Sequence, residues 1–343
     1  RTEFDFAGAR ALYQAVLAPF EADLRAAGVT KISYSLPSQL ATIPLAVTLA
    51  ADPSAAELQA ASRNDFSGLR WAGRDFVFSQ AVSASSFVSL RGLAASQART
   101  PFLGYGDFLP AHQVRPERLS QIVREAALPP ECVANLRQRL GQARLPGTAA
   151  ELTQVRALLN LQQNAVRLGA DFTDQSVRGD GRLGDARVVM FATHGLLNED
   201  NCFTEPALIT SLAPDSGDGF LEISDIAEMQ LNADLAILSA CDTAAGRGSG
   251  RDPGEAFDGL ARAFFYAGAR SVLASHWRVF DSSASRMMRD FFVNAQQGRP
   301  VADALAQAQR GLMAQAPTSH PAHWGAMVAV GDGGRVLNFS SPI

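Results

Sequence analysis

The chain of 343 residues lacks three features, each of which would point to a particular class of protein. It has no apolar stretch that approaches the roughly 18 uninterrupted residues of a transmembrane helix, which predicts that no segment spans a membrane. It has no basic run and a net charge of −4, so the electrostatic pattern of a nucleic-acid-binding protein is missing. The start of the chain has no apolar signal-peptide core, and we therefore expect a cytoplasmic protein.

Cysteine is also scarce. The three cysteines, Cys132, Cys202 and Cys241, are too few and too scattered for a disulfide framework, which indicates a reducing compartment. We expect Cys132 and Cys202 to be inert packing residues, because a reactive cysteine needs an accessible thiolate of low pKa. Arg1 is not an initiator methionine, so we expect the chain to be part of a longer polypeptide.

Two β-like runs each end in a side chain suited to nucleophilic catalysis. Residues 186–193 lead into His194, and residues 234–240 lead into Cys241, which follows the histidine by 47 residues (241 − 194). Parallel strands of an open α/β sheet have their carboxyl ends in one crevice, so the two side chains are predicted to share a site. A histidine roughly 50 residues before the cysteine is the caspase-type order, whereas papain-like enzymes have the cysteine first.

The residues around this pair resemble successive motifs of the CHAT domain family. The matching segments are FATHG at 191–195, LSACDT at 238–243, GARSV at 268–272 and HWRVFD at 276–281. The likeness extends from about Leu12 to Gly331, and the family comprises caspase-like cysteine peptidases related to separase. It implies an α/β fold of three α/β/α layers with a mostly parallel sheet. It also implies a degenerate, caspase-like N-terminal half at residues 1–165 and a catalytic half at residues 166–343.

Hydrophobic patterning agrees with alternating strands and helices. In the first half it predicts a helix over 5–27 with a kink at Pro19, strands at 30–36, 43–49, 76–79 and 102–105, and helices at 83–90, 115–127, 131–140 and 149–161. In the second half it predicts strands at 186–192, 207–212, 234–239, 270–275 and 326–330, and helices at 223–230, 254–267, 282–295 and 301–315. The nearly continuous apolar runs near 188–191 and 235–238 are typical of strands that are covered on both faces.

Each residue of the predicted site has a chemical role. The Cys241 thiolate would attack a peptide carbonyl and form a thioester, while His194 would protonate the leaving amine and later activate water. Gly195 has no Cβ, so its N–H can approach the substrate oxygen and form an oxyanion hole with the Cys241 N–H. Asp242 is a candidate for orienting the histidine because it is adjacent to the cysteine, and a solvated loop carboxylate is the alternative. A dyad suffices in caspase-like enzymes.

Three further residues bear on substrate binding. Ser239 replaces the glutamine of the caspase motif that helps to bind a substrate aspartate, so we do not expect aspartate specificity. Asp281, four residues after Trp277 (281 − 277), is similar in position to an aspartate of separase relatives that pairs with a substrate arginine. The alternative is that Asp281 caps a helix at 282–295. Trp277 is predicted to form a wall of the substrate cleft, and a core position is the alternative.

Other motifs favour structural roles. Residues 83–86 and 104–107 fit neither a serine elbow nor a phosphate loop, and we interpret them as a helix cap and a glycine turn. His276, His320 and His323 lack matching ligands, so no metal or cofactor is expected. The glycine-rich segment 242–253 is expected to be a mobile loop that controls competence when a partner or substrate packs on it.

The leading functional prediction is a cysteine endopeptidase that cleaves a protein or peptide substrate at few positions, in prokaryotic defence or signalling. We expect a regulatory region or activating partner outside this chain, and no direct contact with nucleic acid or a membrane. A catalytically silent CHAT scaffold or interaction module is the alternative. A glutamine amidotransferase is disfavoured because its cysteine would lie on a glycine-flanked elbow with the histidine downstream.

Overall fold

A computed structural model describes residues 4–36, 38–111, 116–126, 128–196, 202, 205–213, 217–239, 253–277 and 279–339 of the chain. Its strands are β1 (Lys31–Tyr34), β2 (Val77–Gln80), β3 (Leu103–Gly106), β4 (Val166–Leu168), β5 (Val188–Ala192), β6 (Gly195–Leu196), β7 (Ala207–Ile209), β8 (Phe220–Glu222), β9 (Leu235–Leu238), β10 (Ser271–Ser275) and β11 (Met327–Gly331).

The described helices alternate with these strands along much of the chain. They are α1 (Phe6–Val16), α2 (Ala18–Ala26), α3 (Ala55–Ser62), α4 (Ala72–Asp75), α5 (Ala84–Gly92), α6 (Pro116–Glu125), α7 (Cys132–Leu140), α8 (Pro146–Leu158), α9 (Asp174–Arg178), α10 (Ile223–Glu228), α11 (Pro253–Ala267), α12 (Asp281–Gln296) and α13 (Val301–Met313).

Eight strands form one sheet in the order β1-β2-β11-β10-β9-β5-β3-β4, and β6, β7 and β8 form a second, small sheet. In the large sheet every neighbouring pair is parallel except β10 and β11, which are antiparallel. The prediction of a mostly parallel α/β sheet is therefore confirmed. The carboxyl ends of β5 and β9 lie side by side at the sheet centre.

The central strands are apolar on both faces because helices cover both faces. In β5, Val189 and Phe191 belong to a core cluster that includes Phe264 of α11. Val188 and Met190 point the other way, into a cluster built with α8, α12 and α13. This period-two division between two buried faces explains the nearly continuous hydrophobic run, and it gives three layers.

One predicted strand of the first half is wrong. Residues 43–49 do not form a strand, because Pro44 has no N–H for a ladder and a 3-10 helix, Leu45–Val47, follows it. The residues of this 3-10 helix are instead packed inside the fold. The helix predicted over 5–27 with a kink at Pro19 is present as two helices, α1 and α2, which meet at Leu17 because Pro19 occupies the first turn of α2.

The strands of the two predicted halves share the large sheet. β2 pairs with β11, and β3 pairs with β5, so strands from residues 1–165 lie on both sides of the four central strands from residues 166–343. The division into a degenerate half and a catalytic half remains a prediction about the origin of these segments.

The expectation for two of the cysteines is wrong. Cys132 in α7 and Cys202 are joined by a disulfide, with their Cα atoms 5.4 Å apart. The two residues are separated by 70 positions, and the fold brings them together. The disulfide removes the cysteine argument for a reducing compartment, and a cytoplasmic location remains a prediction.

In the described parts of the chain, no helix has both the length and the apolar character needed to cross a membrane.

Candidate active site

His194 is the member of the predicted dyad that the structure describes. Cys241 and Asp242 lie outside the described residues, as does the glycine-rich segment up to residue 252. The geometry of the site is therefore built from His194, from the ends of β5 and β9, and from the residues packed around them.

The His194 side chain is buried just beyond the end of β5. Its Nε2 atom is 2.8 Å from the main-chain oxygen of Ala143. A carbonyl oxygen can only accept a hydrogen bond, so Nε2–H is the donor, and the neutral ring has its lone pair on Nδ1. The edge of Phe108 packs against the ring at a centroid distance of 5.4 Å. Nδ1 is thus the nitrogen suited to exchanging a proton with a nucleophile.

An ion pair holds the Ala143 carbonyl in place. Arg144 donates through Nε to Oδ1 and through a terminal nitrogen to Oδ2 of Asp107, at 2.8 and 2.7 Å. Asp107 directly follows β3, and its own N–H donates to the Thr148 hydroxyl at 3.1 Å. These contacts attach the segment before α8 to the sheet edge that His194 also occupies, which fixes the orienting carbonyl.

The register between β5 and β9 relates the two predicted catalytic positions to each other. Phe191 of β5 pairs with Leu238 of β9, and the Ser239 N–H donates to the Phe191 carbonyl at 2.9 Å. His194 and Cys241 each follow the paired position by three residues (194 − 191 and 241 − 238). The chain therefore leaves both strands at the same level of the sheet.

Gly195, the predicted oxyanion-hole residue, begins β6. It lies opposite Leu208 of β7, and the Ile209 N–H donates to the His194 carbonyl at 2.9 Å. In an antiparallel ladder this arrangement makes Gly195 and Leu208 a non-hydrogen-bonded pair. The Gly195 N–H consequently points away from β7, which leaves it suitable as an oxyanion donor.

Ser239 and Asp281 line one small cavity, of about 30 Å³, at the carboxyl end of the sheet. Glu151 of α8 also lines this cavity and is hydrogen-bonded to Ser239. Asp281 is exposed at the start of α12, whereas Glu151 is only 3% exposed. Gly147 allows α8 to approach closely, because a Cβ there would lie 2.7 Å from the Asp281 Cβ.

Burial is the main influence on the Glu151 carboxyl. It raises the pKa from 4.5 to about 7, while the Ser239 hydroxyl favours the ionised form and the nearby charge of Asp281 opposes it. Among the described residues, Glu151 Oε1 has no hydrogen-bond partner. The cavity therefore contains a buried carboxyl group that titrates near neutral pH.

The remaining substrate-binding predictions have different outcomes. The alternative that Asp281 caps a helix is wrong, because α12 begins at Asp281, follows Phe280 as its N-cap and has no side-chain cap bond. Trp277 is half-buried and packs against the same core cluster as α12 and α13. Its role as a wall of the substrate cleft remains a prediction.

The structural roles predicted for the other motifs have mixed outcomes. Ser83 caps α5 through a capping box, as predicted, but residues 103–106 form β3 rather than a turn. His320 and His323 have local partners, since the first accepts from the Ala322 N–H and the second bonds Ser283. Within the described ranges, no three histidine, cysteine or acidic side chains are grouped so that they could hold a metal.

Sequence reasoning missed the orienting carbonyl of Ala143 and the carboxyl of Glu151. A main-chain carbonyl has no residue signature, so only the fold identifies it. Glu151 lies in a helix whose pattern predicts an ordinary polar position, and its burial depends on α12 and β9. The neighbouring Arg144 gave no signal either, because its partner, Asp107, is distant in sequence.

Comparisons with known proteins show the family and the fold of the chain. The CHAT domain family model matches residues 7–332. Tetratricopeptide repeat protein 28 of Mus musculus is 26% identical over 123 residues, and that of Homo sapiens is 25% identical over the same length. The matched region is 36% of this chain and 5% of each relative, so the chain corresponds to a small part of those proteins.

The chain is also similar to solved structures, and the first of these shows the fold. The crystal structure of gingipain R, an Arg-specific cysteine proteinase, is similar with a TM-score of 0.52 and 8% identity, over 96% of this chain and 72% of that chain. The Saccharomyces cerevisiae separase–securin complex gives a TM-score of 0.40 and 14% identity, over 75% of this chain and 14% of that chain. The chain belongs to the CHAT domain family and has the caspase-like fold of cysteine peptidases.

Proposed function

We propose that the chain is a cysteine endopeptidase that uses His194 and Cys241 as a catalytic dyad. The observation that supports this most strongly is the placement of His194, whose Nε2 lies 2.8 Å from the Ala143 carbonyl oxygen, an arrangement in which a neutral ring would have its lone pair on Nδ1. The shared register of β5 and β9 supports the pairing with Cys241, because both residues follow the paired positions by equal distances.

The proposed reaction has two steps. In the first, the Cys241 sulfur bonds to the scissile carbonyl carbon, the thiol proton passes to His194 Nδ1, and that proton then goes to the leaving amine as the C–N bond breaks. In the second, water adds to the thioester and gives a proton to His194, and the C–S bond breaks with return of the thiol. The Gly195 and Cys241 N–H groups would stabilise the oxyanion in both steps.

The proposed substrate is a protein that is cut at few positions, after a basic residue. Asp281 supports the basic preference because it is an exposed carboxylate at the mouth of a cavity that Ser239 also lines. Ser239 precedes the proposed nucleophile by two residues (241 − 239), which makes this cavity the candidate S1 pocket. A role in prokaryotic defence or signalling, with a regulatory region or activating partner, belongs to the same proposal.

The dyad is tested with Cys241→Ala and His194→Ala on a library of peptides that samples all residues before the scissile bond. Both variants should lose cleavage by at least about 10³-fold, because dyad members act as a unit and single losses resemble the double loss. Their thermal unfolding should match that of the wild type, since neither change empties a large core volume.

The matched control is His323→Ala, which removes another half-buried histidine that bonds Ser283 and lies outside the dyad. It should retain cleavage within a few-fold. Wild-type turnover in Cys241→Ala would overturn the peptidase proposal. A wild-type protein that binds substrate peptides but never cleaves them, even with its natural partner, would support the silent scaffold instead.

A further inference from the structure

Glu151 has no role in the chemistry described so far, yet its environment is unusual. It is 3% exposed, and its Oε1 atom has no hydrogen-bond partner among the described residues. A charge that acts on it is another carboxylate, that of Asp281. A buried carboxyl with such surroundings is costly to stability, and residues of this kind are concentrated at binding and catalytic sites.

The position of Glu151 connects it to the proposed scissile bond. Its carboxyl is hydrogen-bonded to Ser239, at the carboxyl end of β9, two residues before Cys241. It lines the cavity of about 30 Å³ that Asp281 also lines. The two carboxylates therefore belong to one pocket, in which Glu151 is buried and Asp281 is exposed.

We infer that Glu151 is the second carboxylate of the S1 pocket, and that Glu151 and Asp281 together select a guanidinium side chain. This inference rests on the proposed peptidase function. A guanidinium group has donors on more than one edge, so it can bond carboxylates that come from two elements, here α8 and α12. A lysine ammonium is a compact point charge without the wide planar fork of a guanidinium, so it would span such a divided pair less well.

The other walls of the cavity suit the stem of an arginine side chain. Leu145, Val279 and Met287 supply apolar surface to the cavity. The cavity has room for about two water molecules by the usual measure. A guanidinium that entered would displace this water and would require the walls to move apart, and Asp281 is the lining residue that is exposed.

The inference is tested first by binding, which does not depend on catalysis. Agmatine carries the arginine side-chain group, and N-carbamoylputrescine has an uncharged urea of the same shape in place of the guanidinium, while both keep the terminal ammonium. Calorimetric titration of the Cys241→Ala protein at pH 8 should show agmatine binding at least about tenfold tighter than the urea analogue. Glu151→Gln and Asp281→Asn should each reduce that ratio to near one.

Two control variants test whether agmatine affinity depends on the carboxylates of the pocket or on any carboxylate of the protein. Glu222→Gln removes another carboxyl whose pKa burial raises to about 7, at the junction of β8 and α10. Asp303→Asn removes an aspartate from the first turn of α13, as Asp281→Asn does from α12. Both controls should leave agmatine affinity unchanged. Equal loss in the controls and in Glu151→Gln would overturn the inference.

Cleavage of matched peptides is the second arm. Peptides with arginine, citrulline or leucine before the scissile bond should rank arginine first by about 10²-fold in kcat/KM. Glu151→Gln should reduce the arginine-to-citrulline ratio below about tenfold while leucine cleavage is unchanged, because the glutamine oxygen can still accept from Ser239. A merely structural Glu151 would leave the ranking intact and lower all three rates alike.

The two arms distinguish failure of the inference from failure of the peptidase proposal. Agmatine binding that depends on Glu151, with no cleavage in any condition, supports the pocket and contradicts the enzyme. Cleavage that depends on Cys241, with no preference for agmatine or arginine, supports the enzyme and overturns the role of Glu151.

Discussion

The region around His194 and the cavity beneath Asp281 each contain a buried carboxylate, and the two carboxylates have different partners. Both carboxylate oxygens of Asp107 accept hydrogen bonds from Arg144, so its charge is paired within the fold. Glu151 accepts from Ser239 but has an unpartnered Oε1 in the described structure, and burial raises its pKa to about 7. The same short stretch, residues 143–151, supplies Ala143, Arg144 and Glu151.

This difference suits the two carboxylates to different roles, one in supporting the structure and the other in binding a ligand. A carboxylate whose lone pairs are satisfied can hold neighbouring backbone in one position, which is what the Ala143 carbonyl requires. A carboxylate that is left short of partners lowers stability and retains affinity for an incoming cation. We therefore assign Asp107 to the orientation of the catalytic base and Glu151 to the binding of substrate.

Loss of the disulfide should lower the free energy of unfolding more than the other changes. The disulfide lies on the His194 side of the comparison, where the carboxylate of Asp107 is paired. It ties α7, which precedes Ala143, to Cys202, which follows β6. Replacing both cysteines by serine should lower the free energy of unfolding by about 4 kcal/mol, as expected for a closed loop of this length. Urea unfolding without reductant measures the loss.

Reductant provides the control for this prediction, since it should destabilise the wild type and leave the double serine variant unchanged. Alkylation of the denatured, unreduced protein should label Cys241 alone, whereas reduction should expose Cys132 and Cys202 as well. Labelling of all three cysteines before reduction would show that the disulfide does not form.

The next largest effect is the pH dependence of stability that Glu151 causes. Its folded-state pKa of about 7 lies above the unfolded value of 4.5, so the folded state binds more protons between these values and stability falls as pH rises through that window. Glu151→Gln should therefore match the wild type near pH 4.5 and be more stable above pH 7, by at most about 3 kcal/mol.

Chemical denaturation at pH 4.5, 6 and 8 measures this difference. Asp107→Asn is the matched comparison, because it weakens a satisfied carboxylate and should be less stable than the wild type at pH 8. The contrast between the two carboxylates fails if Glu151→Gln is also destabilised at pH 8.

The smallest of the expected effects is on catalysis through the orienting carbonyl. Arg144→Ala removes the clamp on Asp107 and should lower kcat about tenfold, because the histidine is then less precisely placed. KM should change little, since Arg144 does not line the cavity. Arg144→Lys should restore only part of the rate, because an ammonium cannot make the two-point contact.

Steady-state kinetics on one arginine peptide checks this effect. Arg99→Ala breaks a surface pair with Asp185 and serves as the control, which should keep full activity. Equal rates in Arg144→Ala and the wild type would mean that the Ala143 carbonyl is held by other contacts, such as the Thr148 bond to Asp107.

The central strands and their helices could be predicted because the apolar runs of the strands and the amphipathic patterns of the helices are local features of the sequence. The apolar runs at 188–192 and 235–238 are long and bounded by turn residues, and the helices α11, α12 and α13 have strong amphipathic patterns. The segment at 43–49 misled the same reasoning, because an apolar run that follows Pro44 packs into the core without joining a ladder. The short β4 has too few residues for a pattern.

By itself, the sequence determined the α/β class, the order of the elements, the family and the two residues proposed as the dyad. These depend on residue types at short spacings along one strand or helix. Only the tertiary structure decided that Ala143 orients His194, that Cys132 reaches Cys202, and that Glu151 is buried beside Asp281. Each of these contacts joins distant segments, and its partner is either a main-chain atom or a residue type that is common on surfaces, so no local pattern distinguishes it before the chain has folded.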